Sequence, residues 1–306
     1  MNKKGMFFTI LVISLLSLFV VAYASYSVID ERIAVNKRIE TMNNFVFSLE
    51  QDMSRQNYIS SYRAIVAIEN YITNNGIFIS SSEQAIKEAI LNGTINNQNI
   101  LLMQGYKLKD WNSRVSELAD KVNLIVNYTL EDVTISQEDP WNIKIEVLIN
   151  IFIKDKNNLA SWNKSQVISS KIEIEGFEDP LYLINTNGKI VNKINKTNYV
   201  SFISGNDVSN LSMHLQNSYY ISSPQAPSFL DRLEGKISAN EQGIESLVYL
   251  PELSAQGIPA KDKSSVDYIY FSSQNPVSHH IQGMPSWFKL DDAHLDIYNA
   301  TGLTID

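Results

Sequence analysis

Apolar positions fall into three successive patterns along the chain, and each predicts a different element. From Met6 to Ile29 no side chain is charged. As a helix this stretch would be about 36 Å long, enough to cross a bilayer core of about 30 Å. Steps of three and four then carry Val28, Val35, Ile39, Met42, Val46, Leu49 and Met53 along one helical face, with only Arg32 off the pattern, and Tyr58, Tyr62, Ile65, Ile68 and Ile72 form a second seam. The phase slips near Gln56, which predicts a bend, a break or a change of partner there. Continuous helix to Ile72 would be about 100 Å long, and its short seam favours packing on the protein's own sheet over a coiled coil. Thr73-Asn74-Asn75-Gly76 supplies the turn chemistry that ends it.

Two shorter helices follow. Ser81-x-x-Gln84 reads as a capping box, with Ala85, Ile86, Ala89 and Ile90 on one face and Gly93 as the stop. Asp110 reads as the cap of a helix with Val115, Leu118, Ala119 and Val122. The period then becomes two. Leu124, Val126, Tyr128 and Leu130 form one face of a strand, and Ile143, Ile145, Val147, Ile149, Ile151 and Ile153 form the clearest strand in the chain. Asp155-Lys156-Asn157-Asn158 is a turn; Ile168, Ile172 and Ile174 mark the next strand, interrupted by Ser170 and Lys171. Gly176-Phe177-Glu178-Asp179-Pro180 is a corner. Asn187-Gly188, between Leu181–Ile184 and Lys189–Val191, predicts a hairpin. Residues 193–240 are rich in Asn, Ser and Lys, residues 265–271 read as a strand, and residues 287–298 read as ordered.

The expected fold is α+β: a long amino-terminal transmembrane and amphipathic helix packed on an antiparallel sheet, with a mixed carboxy-terminal subdomain. The expected organisation is a cytoplasmic leader at 1–5, a transmembrane helix at 6–29, a helical stalk at 30–72, an α+β head at 73–198 and a carboxy-terminal subdomain or extension at 199–306.

Composition narrows the function. The chain has 306 residues, a net charge of -8 and no cysteine. An acidic balance argues against nucleic acid as a partner. Lack of cysteine excludes disulfides, zinc thiolates and thiol nucleophiles. Lys3 and Lys4 precede the apolar span while Asp30 and Glu31 follow it, so the positive-inside bias keeps the amino terminus in the cytoplasm and the bulk outside.

Lys3-Lys4-Gly5 followed by Met6-Phe7-Phe8 resembles the class III leader of archaeal type IV pilin-like proteins. The resemblance implies cleavage after Gly5, with Lys4, Gly5 and Met6 as processing residues and the apolar helix retained. The fifth mature position would be Ile10, where the bacterial pattern has glutamate. The helix-then-meander order is similar to pilin architecture. The stretches GFEDPLYLINTNG and GIESLVYLPEL resemble uncharacterised single-anchor archaeal membrane proteins, a likeness that brings no activity.

Candidate chemistry is sparse. N-glycosylation sequons stand at Asn92, Asn127, Asn163, Asn195, Asn210 and Asn299. His279, His280, Asp291, Asp292 and His294 could converge on a metal ion, but they lack the spacing of a helix-based metal pair, so exposed loop residues are the default. G-x-S-x-G and phosphate-loop motifs are missing. Glu178-Asp179 and Asp291-Asp292 would serve a glycosidase only at a fitting separation. Trp111, Trp141, Trp162 and Trp287 suit core or sheet-edge packing better than a binding surface, with Trp141 and Trp162 expected to stack. The expectation is a non-enzymatic, membrane-anchored surface protein without cofactor, whose partners are the lipid bilayer and other pilin-like subunits through the helix. A ligand-binding module is the alternative, and a tethered hydrolase using His279, His280, Asp291 and His294 a third reading.

Overall fold

The computed structural model describes residues 3–305; the leader expectation for Lys4 rests on a side chain outside that description, as do Met1 and Asn2. In chain order the elements are α1 (Lys3–Asn75), α2 (Ser82–Asn92), the short pair β1 (Thr94–Ile95) and β2 (Gln98–Asn99), α3 (Leu108–Lys121), β3 (Leu124–Asp139), β4 (Asn142–Asp155) and β5 (Ser161–Glu173). Then come α4 (Pro180–Asn185), α5 (Ser209–Gln216), β6 (Tyr220–Ser222), α6 (Phe229–Leu233), β7 (Ile244–Ser246), α7 (Leu250–Ala255), α8 (Asp267–Phe271), β8 (Ser278–Ile281), β9 (Lys289–Asp291), α9 (Asp292–Leu295) and β10 (Thr304–Ile305). The class is α+β, with a long apolar amino-terminal helix and small antiparallel sheets.

No proline interrupts α1, and it runs without a break to Gly76, whose left-handed backbone (φ +65°) ends it. At the expected slip near Gln56 the helix neither bends into a second element nor stops. Its partners change instead. The chain forms two compact units, and α1 belongs to the first as far as Met53 and to the second from Ser54.

The first unit joins that part of α1 to Asn112–Thr129 and Ile149–Gln166. Met42, Val46, Leu49 and Met53 are buried, as the seam predicts, whereas Val28 and Ile39 stay 47% and 40% exposed. Arg38 pins the unit together. Its Nε donates to the buried Asp155, and its Nη2 donates to the carbonyls of Val122 and Asn123, each at 2.8 Å. Lys164 Nζ meets Glu50 Oε1 at 2.7 Å.

β3, β4 and β5 lie side by side in that order. The register of β4 and β5 follows from two backbone bonds, Asp155 N–H to Ala160 O at 3.0 Å and Ile174 N–H to Trp141 O at 2.9 Å. They set Asn150 opposite Ser165, whose hydroxyl donates to the Asn150 carboxamide, and Phe152 opposite Asn163. Lys156 N–H donates to Asn123 O at 3.1 Å, which sets Asn127 on the other side of Phe152. Burial in β4 alternates from Ile143 through Asp155, whereas in β3 it slips by one between Leu130 and Val133, the mark of one extra residue in a β-bulge.

In the second unit, α1 buries a polar face where the apolar seam was expected. Tyr58 and Tyr62 are 47% and 45% exposed, while Gln56, Asn57, Ser60 and Ser61 are buried. Asn57 Nδ2 donates to the carbonyls of Ile145 and Ile168, at 3.3 and 3.4 Å. Gln56 and Ser60 both donate to the Tyr106 carbonyl. Short polar side chains satisfy backbone carbonyls that a leucine would have left bare. Below them Ile65, Ile68 and Ile72 are fully buried. α2 forms with the expected cap residue and face, but with one half of the capping box: Ser81 accepts from Gln84 N–H at 3.2 Å without a return bond from the Gln84 side chain, and Ala85, Ile86, Ala89 and Ile90 are buried. The remaining core gathers Leu181, Phe202, Leu211, Leu247, Val266, Phe288, Leu290 and Tyr298.

Several local expectations are corrected. Asp110 lies inside the first turn of α3 and accepts from Gly105 N–H, and Leu118 is 55% exposed. The stretch before Asn187-Gly188 is α4, not a hairpin arm. Asp179 caps it by accepting from Leu181 N–H, Pro180 fits the first turn, and the positive-φ pair Asn187-Gly188 lies just past the helix end, with Gly188 N–H on the Leu183 carbonyl. Asp267–Phe271 is α8 rather than a strand, because Val266 through Tyr270 are all buried and no face alternates. Trp141 sits beside Ile174 at the far end of the β4–β5 ladder from Trp162, so these rings do not stack; Lys196 lies 5.2 Å from the Trp141 ring centre.

Candidate functional site

Three features carry chemistry: the bare part of α1, a buried charge network, and open concavities on the second unit. The first is simplest. From Gly5 on, α1 contains an 18-residue stretch long and apolar enough to cross a membrane, and none of it is buried. Phe7, Phe8, Leu18, Phe19, Val20 and Val21 are each at least 65% exposed. Water would penalise such a surface by about 25 cal/mol for every Å². Gly5 and Met6 lie within this helix, and Thr9 Oγ1 folds back onto the Gly5 and Met6 carbonyls.

The network is built from residues far apart in sequence. Arg232 enters from α6, which is closed at its start by the Ser228–Asp231 capping box. The Arg232 side chain is wholly buried. Its Nη1 donates to Asp179 Oδ2 at 2.5 Å and Asp267 Oδ2 at 3.0 Å. Its Nη2 donates to Asp267 Oδ1 at 3.2 Å and to the Ile244 carbonyl. Asp267 also accepts from Ser246 N–H, the Ser246 hydroxyl and Tyr268 N–H. Asp179 accepts from the Tyr220 hydroxyl at 2.8 Å. Burial raises the Asp179 carboxyl above its usual range; Arg232 pulls it down and the Asp267 charge pushes it up again. Burial likewise drives the Tyr182 and Tyr220 phenols well above their usual value. The two stretches GFEDPLYLINTNG and GIESLVYLPEL meet here, through Asp179 and Tyr182 on one side and Ile244 and Ser246 on the other.

A second ion cluster adjoins it. His294 is buried, with Nδ1 2.6 Å from Asp291 Oδ1, and with Nε2 3.1 Å from the Tyr268 hydroxyl and 3.2 Å from Glu245 Oε2. The Glu245 contact has ion-pair distance without hydrogen-bond geometry. Burial opposes charge on the imidazole, but the bond to Asp291 and the charges of Glu245 and Asp291 outweigh it and hold His294 protonated up to about pH 10. Asp291 is held below its usual value: burial acts against this, and the bond from His294 overcomes it. By contrast burial alone lowers His214 to about 3, so it is a neutral core imidazole.

The expected metal candidates are divided between environments. His279 Nε2 meets Asp292 Oδ1 at 2.8 Å near the surface, and pairing of β8 with β9 sets His279 opposite Leu290 and His280 opposite Lys289. Asp291 and His294 form the buried pair already described. Among the described residues no group of three or more acids or imidazoles is placed to hold a metal ion. Arg232, Asp179, Asp267 and Glu245 have no exposed surface, so this constellation is a clamp between segments.

Two open concavities of about 330 Å³ each mark the surface of the second unit. One is lined by Tyr58, Ile59, Tyr62, Arg63, Val66 and Leu102; the other by Asn92, Gly93, Asn99, Ile100, Leu101, Met103, Gln104 and Lys107. In the first, the Arg63 guanidinium stacks 3.5 Å above the Tyr106 ring and donates to the Leu102 carbonyl at 3.0 Å. The six sequon asparagines are all exposed. Trp111 is buried, while Trp287 packs edge-on against Tyr249. Compared with known proteins, the chain matches no protein-family model, no curated protein and no solved structure.

Proposed function

We propose that this chain is a non-enzymatic, single-pass, pilin-like surface protein, anchored by the amino-terminal part of α1 and facing outward for adhesion or envelope assembly. The observation that supports this reading most is the continuity of α1. One continuous helix joins a bare apolar stretch of bilayer-spanning length to a part that the first unit packs and that Arg38 pins, so the anchor runs straight into the folded chain. The outward orientation rests on Lys3 and Lys4 before the span and Asp30 and Glu31 after it. Lateral association would use the part of α1 that the chain itself leaves uncovered.

Mass spectrometry of the mature amino terminus tests the leader: a chain starting at Met6 supports the pilin-like reading, and an intact Met1 removes cleavage of that type. Single cysteines at Ile39 and Phe47, 40% and 62% exposed, test assembly. Crosslinked dimers in membranes are expected. Their absence at both positions would favour the second reading, an extracytoplasmic binding module, which the aromatic concavity at Tyr58, Tyr62 and Arg63 supports. A tethered hydrolase on His279, His280, Asp291 and His294 has less support, because the imidazoles are split between a surface pair and a buried one.

A further inference from the structure

The outer face of the β3–β5 meander, within the first unit, carries a row that no packing explains. Phe152, on the central strand, is 38% exposed. The register sets Asn127 beside it on β3 and Asn163 beside it on β5. Both asparagines begin sequons, Asn127-Tyr128-Thr129 and Asn163-Lys164-Ser165. Because strand side chains repeat every two residues, each asparagine and its hydroxyl partner share the exposed face. Ile125, 42% exposed, extends the same face.

The other sequons are arranged differently. Asn92 Oδ1 accepts from Lys109 Nζ at 2.9 Å, Asn210 Nδ2 donates to the Ser201 carbonyl at 3.0 Å, and Asn299 Oδ1 accepts from Phe202 N–H at 3.4 Å. Asn195 stands on a loop. Asn127 and Asn163 have solvent-facing carboxamides that make no such bond, and a strand spacing of about 4.8 Å puts each within one sugar ring of Phe152.

We propose that Asn127 and Asn163 are modified by N-linked glycans and that Phe152 is the shared platform on which their first sugars stack. The apolar C–H face of a pyranose covers an aromatic ring as another flat apolar group would, with the hydroxyls left in water. The glycans thereby cover the exposed apolar row on this face. This inference rests on the outward-facing reading of the chain.

The test uses the full chain, produced in a host whose export pathway glycosylates N-x-S/T sequons and purified from its membranes. Glycopeptide mass spectrometry should find Asn127 and Asn163 occupied. Enzymatic removal of the glycans should lower the Tm by about 2 °C in the wild type, and by clearly less in Phe152→Ala, which leaves both sequons intact. An equal fall in both proteins overturns the platform. Glycans at other sequons but not at Asn127 or Asn163 overturn the site while leaving the orientation standing. Should no sequon be occupied, the proposal falls. Labelling of intact cells with an impermeant amine reagent then separates the two claims, since a labelled head keeps the outward reading and an unlabelled one removes it as well.

Discussion

Removing the cation at the centre of the second unit gives the sharpest test of the network. In Arg232→Met the aliphatic stem is kept and the guanidinium is lost. Four hydrogen bonds disappear, to Asp179, twice to Asp267, and to the Ile244 carbonyl. The larger effect is electrostatic, because two carboxyls with no exposed surface lose the charge they share. Breaking a buried pair by removing one partner costs about 3–5 kcal/mol, a fall in Tm of about 10 °C for a chain of this size. The pH dependence separates charge from packing. Asp179 already has its carboxyl raised by burial, and loss of Arg232 raises it further. An acid with a raised folded value contributes stability below its unfolded value of about 4, and loses that contribution as pH rises through the folded value. The penalty should therefore be smaller at pH 4, where the stranded Asp179 carboxyl is protonated, than at pH 8. Melting of the full chain in detergent, followed by tryptophan fluorescence at both pH values, measures it. Asp179→Asn in the same chain should recover part of the loss, since an asparagine oxygen still caps α4. A change below about 1 kcal/mol, or one equal at both pH values, would refute this account of the network.

Four further outcomes follow from the same structure. Glu69 accepts from Glu178 N–H at 3.0 Å, and burial together with the Glu178 charge raises it to about 8; its stabilising contribution is full below about pH 4.5 and lost as pH rises through 8, so Glu69→Gln should flatten the pH–stability curve in that window and gain about 4 kcal/mol over the wild type at pH 9, read by denaturant midpoints. His294, held at about 10, contributes stability that is full below its unfolded value of about 6.5 and lost as pH rises through 10; His294→Gln should be less stable at pH 6 and should lack the decline between pH 8 and 10. A Cβ at Gly243 would stand 2.1 Å from the Ala226 carbonyl oxygen; Gly243→Ala should therefore destabilise by about 2 kcal/mol or more, visible as a lowered Tm. Arg38→Ala should speed amide exchange at residues 122–123 and 155–159, while amides around Arg232 stay unchanged because they lie in the other unit.

What could be read in the sequence was whatever local periodicity decides. β4 was legible because six apolar residues alternate without error, and α2 because its cap, apolar face and glycine stop agree. α4 is hidden from pattern reading because Asn187-Gly188 satisfies a helix exit as well as a hairpin turn, and only the Asp179 cap distinguishes them. The seam of α1 failed at Tyr58 because the helix meets the sheet there through Asn57 and its neighbours, and hydropathy has no code for a carbonyl needing a donor.

The charge network was illegible for a related reason: its members reach each other only in the fold, with Arg232 53 residues from Asp179 and 35 from Asp267. A trace was nevertheless present. Asp267 stands inside the apolar run Val266–Phe271 and Glu245 inside Ile244–Leu250, whereas Arg232 directly follows Asp231 and is not set apart in this way. A lone charge inside an apolar run must find an opposite charge or be neutralised, because a bare ion in the interior costs several kcal/mol. Asp267 and Glu245 therefore each require a cationic or proton-sharing partner, and the sequence does not say which residue supplies it. Periodicity could not choose the pairings: only the packing of α6 and α8 around Ile244–Ser246 gives Arg232 to Asp267 and leaves Glu245 to His294.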